Sequence, residues 1–292
     1  GMIVYMKITT LIENMQDNDK NLKFEHGLSM FLQTKNCNIL FDTGKSGDFI
    51  DNAHKLNVDL KSTDFLILSH AHYDHCGGVK RLLENYDIKP KLIVSEHFFK
   101  KSNKYHYSDG KLKTDFSDGI GYKYIGIDFD EDYIRNKGIS INFVKSNVLK
   151  ISNEVFVFSN FNKKYDFEKV NKNMKIKIDN EYIVDEFDDE IALGVKTSKG
   201  IVVLLGCSHP GFLNIISTIR EISNKKIYAV IGGTHLIEAD ESRIKKSIDY
   251  LNKFNIDMLG LSHCTGEKAV SEISKNCSGF FYNRTGTKKE II

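Results

Sequence analysis

Four times along this chain an apolar run stops at a small-residue turn that carries a histidine. The stretches are FLILSHAHYDHCGG (65–78), VVLLGCSHPG (202–211), YAVIGGTHL (228–236) and DMLGLSHCTG (257–266). A short, unbroken apolar run bounded by turn residues reads as a strand with both faces buried. Such strands need layers above and below them. They also deliver whatever follows their carboxyl ends to one edge of the sheet, where layered α/β folds gather their chemistry.

The rest of the pattern agrees with layered sheets and helices. Ile3 to Glu13, Leu28 to Thr34 and Asn38 to Phe41 read as strands, the last ending at the turn Asp42-Thr43-Gly44. Apolar spacing predicts helices over Phe49 to Leu56, from Val79 to Tyr86, over Phe212 to Ile222 and over Ser242 to Phe254, and a strand over Leu92 to Ser95. LSMFLQTKNCNILFDTG (28–44) and IALGVKTSKGIVVLLGCS (191–208) share one layout of strand, polar turn, strand and small-residue stop. The expectation is an α+β fold with two similar β-rich halves flanked by helices. Residues 2–292 read as one domain, Gly1 being a cloning remnant. Residues 97–138, rich in Lys, Tyr, Phe, Gly and Asp with weak periodicity, read as a lid or insertion, or equally as a solvated excursion.

Composition excludes several classes. Forty-one Lys and Arg balance 39 Asp and Glu, leaving +2, so no general footprint for nucleic acid or anionic membrane is expected. No apolar run is long enough to span a bilayer, and the first residues lack a secretory pattern. Five widely spaced cysteines in a chain of 292 residues point to a reduced, cytoplasmic setting.

The run His70-Ala71-His72-Tyr73-Asp74-His75 packs four ligand-type side chains into six residues. Alternate residues of extended chain share a face, so His70 and His72 point the same way, while Asp74 and His75 fall in the following turn. A surface turn with incidental histidines is the plain alternative. A metal site predicts more histidines at distant strand ends, and His209, His235 and His263 are there. His26 and His97 also border strands and remain as lesser candidates, whereas His54 reads as helix surface and His106 as part of the lid.

The motif resembles the H-x-H-x-D-H signature of the metallo-β-lactamase superfamily, whose members are αββα sandwiches, four layers deep, with a two-metal site. EHGLS, ILFDTG, LSHAHYDHCGG, GCSHPG, IGGTH and SHCTG resemble in particular the branch labelled 7,8-dihydropterin-6-methyl-4-(β-D-ribofuranosyl)aminobenzene-5′-phosphate synthase-like. The resemblance implies that His70, His72 and His209 hold one divalent ion and that Asp74, His75 and His263 hold the other. Asp42 would orient a ligand from behind. Where the superfamily places a bridging aspartate, this chain has Cys207. It reads either as a further ligand or as a small buried residue, the latter being favoured because His209 offers a competing donor two residues on. His235 is expected as a substrate contact or proton donor rather than a ligand.

Two divalent ions sharing a hydroxide imply hydrolysis of a small anionic substrate, of phosphoester type, with Asp74 and His235 as the catalytic side chains. Zinc is the first expectation; iron, manganese and nickel are the other options. Lys100, Lys101, Lys104, Tyr105 and Tyr107 of the lid are expected to meet a phosphate and cover a ring, with Lys104 and Tyr105 joined by His26 and His97 as substrate contacts. A synthase-type transferase, a redox di-iron protein and a non-catalytic metal-binding or sensing module are the alternatives.

Overall fold

The structure, a computed structural model, describes residues 6–111 and 119–292. Part of the expected first strand (3–5) and part of the expected lid (112–118) lie outside these residues. Seven strands form the first sheet, in the order Lys288–Ile291, Met6–Ile12, Ser29–Thr34, Asn38–Phe41, Phe65–Ile67, Lys91–Ser95, Ile141–Val144. Six form the second, in the order Met258–Ser262, Ile227–Gly233, Gly200–Leu205, Ala192–Thr197, Val155–Phe158, Val148–Lys150.

Period-two alternation explains the stacking. In Gly200–Leu205, Ile201, Val203 and Leu205 face the helices Phe212–Ser223 and Glu241–Asn252, while Val202 and Leu204 face the other sheet. In Lys91–Ser95, Leu92 and Val94 likewise face the helices Phe49–Lys55 and Val79–Asn85, and Ile93 faces inward. Three apolar cores therefore separate four layers in the order helices, sheet, sheet, helices. Because strands such as Gly200–Leu205 are covered on both faces, they read as continuous apolar runs.

The two halves share a topology as well as a sequence grammar. Ser29–Thr34 and Asn38–Phe41 form an antiparallel hairpin that continues in parallel with Phe65–Ile67 and Lys91–Ser95. Ala192–Thr197 and Gly200–Leu205 do the same with Ile227–Gly233 and Met258–Ser262. The final strand departs from a simple division into halves, returning to the first sheet to pair with Met6–Ile12.

The segment expected as a lid is more ordered than its weak periodicity implied. Lys104–Asp109 and Ile120–Tyr124 pair with each other and, through Met174–Ile178, with Glu181–Val184, giving a third sheet of four strands. One face of it is pressed on the body through Lys104, His106, Met174 and Ile176, all buried. The alternate residues Tyr105, Tyr107, Tyr122, Tyr124 and Tyr182 cluster on the other face, with Tyr122 and Tyr182 stacked at 3.6 Å. No helix among the described residues is long and apolar enough to cross a membrane.

Candidate metal centre

The carboxyl ends of the parallel strands of both sheets meet at one edge. Phe65–Ile67 runs into Ser69 and His70, Gly200–Leu205 into Cys207 and His209, Ile227–Gly233 into His235, and Met258–Ser262 into His263. Glycine makes the meeting possible at Gly206, where a Cβ would lie 2.2 Å from Ser69 Oγ. Several residues here hold left-handed backbone conformations: Asp42 (φ 60°), Phe187 (55°), Ser208 (63°), His235 (52°) and His263 (55°).

His70, His72 and His209 converge. Their ring centroids lie 4.6 Å (His70–His72), 4.9 Å (His70–His209) and 5.0 Å (His72–His209) apart. All three Nε2 atoms are buried without a hydrogen-bond partner. Three orphaned imidazole nitrogens on adjoining buried rings are costly for a fold unless a cation receives them. Burial first, and then neighbouring positive charge, holds all three far below the usual histidine range, which leaves them neutral and able to donate lone pairs.

A second set adjoins the first. Donor atoms of Asp74, His75, Cys207 and His263 all lie within 4.8 Å of one another, as do those of His70, Cys207 and His209. His72 stands outside that tighter set and joins it through its ring contacts. His263 Nε2 is 3.0 Å from Asp74 Oδ2 and 3.2 Å from His75 Nε2. Burial works to raise the Asp74 carboxyl, but His75, His263 and His26 outweigh it and hold the group well below the carboxylate range. Burial works to lower His75, and the Asp74 and Asp42 carboxylates overcome it, raising the imidazole to about 9. The cluster thus strongly favours positive charge at this point. Together the sets form a buried His/Asp/Cys group of dinuclear type.

Hydrogen bonds fix which ring nitrogen faces the centre. Asp42 Oδ2 lies 2.7 Å from His75 Nδ1 and accepts from it, so the proton on Nδ1 is the one held in place and Nε2 is the nitrogen that would give up its proton to a cation. The same oxygen accepts from Ser69 Oγ at 2.7 Å, so Ser69 Oγ must accept from His70 Nδ1 at 2.8 Å. Asp42 Oδ1 takes the Ser69 N–H at 2.8 Å. One buried carboxylate therefore orients a histidine of each set.

Cys207 was favoured in the sequence as a small buried residue displaced by His209. In the structure the two do not compete. His209 faces the first set, while Cys207 Sγ sits between the sets, 3.0 Å from His75 Nε2. Burial and then the adjacent Cys264 push its thiol well above the usual value. All five cysteines are free.

His235 lies beside the first set, its ring 4.3 Å from His209 and its Nδ1 3.6 Å from Glu238 Oε2. His26, with 27% of its side chain exposed, borders the second set, Nε2 being 3.4 Å from Asp74 Oδ2. His97 stands at the same sheet edge but pairs with Glu96 at 3.3 Å. Tyr105 belongs to the outer tyrosine cluster.

Lys104 is a correction. Its side chain is fully buried and its ammonium lies 2.7 Å from Asp189 and 2.9 Å from Asp185, so both its charge and its position are taken. It also lies 4.6 Å over the Phe187 ring, which stacks on His209 at 4.0 Å, and Asp189 Oδ2 accepts the Ala71 N–H at 2.9 Å. Lys104 therefore ties the third sheet to the wall of the centre, with its ammonium paired to two buried carboxyl groups rather than open to an anion. Lys101 is likewise paired, with Asp188.

Four residues at the centre carried no signal in the histidine pattern. Glu190 accepts the backbone N–H groups of Ser208 (3.1 Å) and His209 (2.8 Å), and burial pushes it up to about 8. Glu13 accepts the His263 N–H at 2.7 Å, and Asn14 Oδ1 lies 2.7 Å from His263 Nδ1. His106, read as ordinary, is buried on the inner face of the third sheet within electrostatic reach of Glu238 and His235. Applying the strand-end rule to every polar residue, rather than to histidine alone, would have found Glu13 and Asn14 just past Ile12.

A family model described as "Metallo-beta-lactamase superfamily" matches residues 22–149. A Methanocaldococcus jannaschii protein named 7,8-dihydropterin-6-methyl-4-(beta-D-ribofuranosyl)-aminobenzene-5'-phosphate synthase is 30% identical over 281 residues, covering 92% of this chain and 90% of that one. An uncharacterised protein of the same organism is 29% identical over 279 residues, covering 94% and 98%. A crystal structure described as a metal-dependent hydrolase of the beta-lactamase superfamily, Tm1679, is 28% identical, with a TM-score of 0.81, 98% of this chain and 99% of that one being covered.

Proposed function

The chain belongs to the metallo-beta-lactamase superfamily, and from that premise we propose that it is a dinuclear metallo-hydrolase acting on a small, anionic, phosphoester-type substrate. The observation that carries the reading is a set of three unpartnered imidazole nitrogens on adjoining rings beside a second buried donor set. His70, His72 and His209 would hold one ion and Asp74, His75 and His263 the other, with Cys207 as a thiolate donor between them. Thiolate and imidazole together favour zinc over magnesium or manganese. Bound there, two divalent ions supply Lewis acidity toward an attacked oxygen and make a water acidic enough to act near neutral pH.

The chain's own residues do the remainder. Asp42, through His75 and Ser69, keeps lone pairs turned inward. Glu190 holds the backbone that carries Cys207 and His209. Phe187 walls off one side of the first set from water. His235, beside the centre and 3.6 Å from Glu238, would hand a proton to a leaving group, a contribution of about 10²–10⁴-fold in comparable sites. Five unbridged cysteines accord with a reducing, cytoplasmic setting.

The phosphate preference does not draw on the lysines, since Lys104 and Lys101 are neutralised by carboxylates. It draws on the Methanocaldococcus relative, whose name also supports a second reading: a synthase joining a dihydropterin and a ribofuranosylaminobenzene phosphate. Protein loaded with defined metals and assayed on phosphodiesters, lactones, thioesters and the dihydropterin pair separates these readings. Metal-dependent phosphodiester turnover, lost together with metal in His72→Ala, is expected; exclusive thioester turnover refutes the phosphate assignment, and unchanged activity and metal content in His72→Ala refutes the centre itself.

A further inference from the structure

The strand Met6–Ile12 ends at Glu13 and Asn14, and the Asn14 side chain lies between two histidines that come from opposite ends of the chain. Its orientation is set by an obligate donor, because the Gly27 N–H donates to Asn14 Oδ1 at 3.2 Å. That oxygen is also 2.7 Å from His263 Nδ1, so His263 carries its proton on Nδ1 and turns a bare Nε2 toward Asp74 and His75. The other end of the amide, Asn14 Nδ2, can only donate, and it lies 3.1 Å from His26 Nδ1. His26 therefore accepts on Nδ1 and carries its proton on Nε2, which points at Asp74 Oδ2 across 3.4 Å.

We infer that Asn14 is a positioning residue that sets opposite tautomers in His263 and His26 through its amide. One histidine is left with a lone pair for a cation. The other becomes a fixed N–H donor on the solvent side of the second donor set, directed at Asp74 and at any anionic oxygen bound beside it. A carboxylate at position 14 satisfies His263 and Gly27 but has no proton for His26; an aliphatic side chain satisfies none of them. The His263 half of this inference rests on the dinuclear reading, whereas the His26 half does not.

The test compares Asn14→Asp and Asn14→Leu with the parent protein, zinc-loaded and zinc-free, at a pH where free imidazole is neutral. Nitrogen NMR of the histidine rings reads the tautomers, and zinc competition reads affinity. Expected in the parent is His26 with its proton on Nε2; Asn14→Asp should move that proton to Nδ1 and keep zinc affinity within a few-fold. Asn14→Leu should weaken the second zinc by about 10–100-fold, the scale of losing an outer partner of a ligand histidine. A His26 tautomer unchanged in Asn14→Asp, or full zinc affinity in Asn14→Leu, overturns the inference. If the parent binds no zinc, the dinuclear reading and the His263 half fall together, and the His26 tautomer still tests the other half.

Discussion

Asp42→Asn isolates the orienting network from bulk and backbone effects. The side chain is fully buried, so an isosteric change leaves packing intact. Its φ of 60° is a left-handed conformation that asparagine tolerates well. What changes is proton inventory. The carboxylate accepts three bonds, from the Ser69 N–H at 2.8 Å, Ser69 Oγ at 2.7 Å and His75 Nδ1 at 2.7 Å. An amide has only one accepting end. If its NH₂ faces the Ser69 N–H, two obligate donors oppose each other. If it faces the other side, it meets Ser69 Oγ and His75 Nδ1, and His75 escapes only by moving its proton to Nε2, into the second donor set. Hydrogen bonds to charged groups contribute about 1.5–3 kcal/mol each. Loss of an outer partner of a ligand costs about 10–100-fold in affinity, or about 1.4–2.8 kcal/mol. The second ion should therefore weaken by up to about 100-fold and the first by less, since His70 is reached only through Ser69. Competition titration against a chromophoric chelator, with metal stoichiometry by elemental analysis and folding by circular dichroism, measures this. A folded variant that binds two ions with parental affinity refutes the tautomer argument.

Three further outcomes are expected. Cobalt-substituted protein should show sulfur-to-metal charge-transfer absorption that Cys207→Ser abolishes, because Sγ lies within both donor sets; an identical spectrum removes Cys207 from the centre. Lys104→Met should destabilise the fold by about 3–5 kcal/mol in denaturant titrations, because it strands two buried carboxylates. A stable variant with only a raised KM for an anionic substrate would return Lys104 to substrate binding. Glu168 caps the helix Phe212–Ser223 through the Leu213 and Asn214 N–H groups, and burial raises it from 4.5 to about 7. A raised carboxyl favours the protonated folded state, so its contribution is complete below pH 4.5 and is lost as pH rises through 7, a change of about 3 kcal/mol. Glu168→Gln should flatten that part of the stability profile; an unaltered slope contradicts the assignment.

The first half of the centre is legible in sequence because His70, His72, Asp74 and His75 are local, and a strand followed by a turn aims them without help from elsewhere. His209 and His263 are legible for a related reason, each standing just past an apolar run. Glu13 and Asn14 are not, since they meet His263 across 250 and 249 residues and the pairing depends on how the first strand lies against the second sheet. Lys104 was misread because a lysine in a weakly periodic segment looks solvated; only the strand alternation of Lys104, His106 and Ser108 against Tyr105 and Tyr107 marks an inward face. In sequence Cys207 and His209, two residues apart, read as competing donors, whereas in the structure both lie in one donor group. The left-handed Ser208 between them turns the chain so that both reach the cluster.

That turn reflects how the whole centre is held. Asp42, Ser208, His235 and His263 all follow strand ends and all have positive φ, at an expected cost of about 1–3 kcal/mol each for non-glycine residues. Each is tied by its own N–H: Asp42 to Ile67 O, Ser208 to Glu190, His235 to Cys264 Sγ and His263 to Glu13. Two of those four acceptors are the buried carboxyl groups of Glu190 and Glu13. The strain is therefore balanced by hydrogen bonds of the folded chain itself. It follows that changes to the orienting side chains, Asp42 and Asn14, should register first in metal affinity and ring tautomer. Changes to the carboxylates that hold the backbone, Glu13 and Glu190, should register first in folding. A Glu190→Gln protein that keeps its stability and loses only metal would show that this division is drawn in the wrong place.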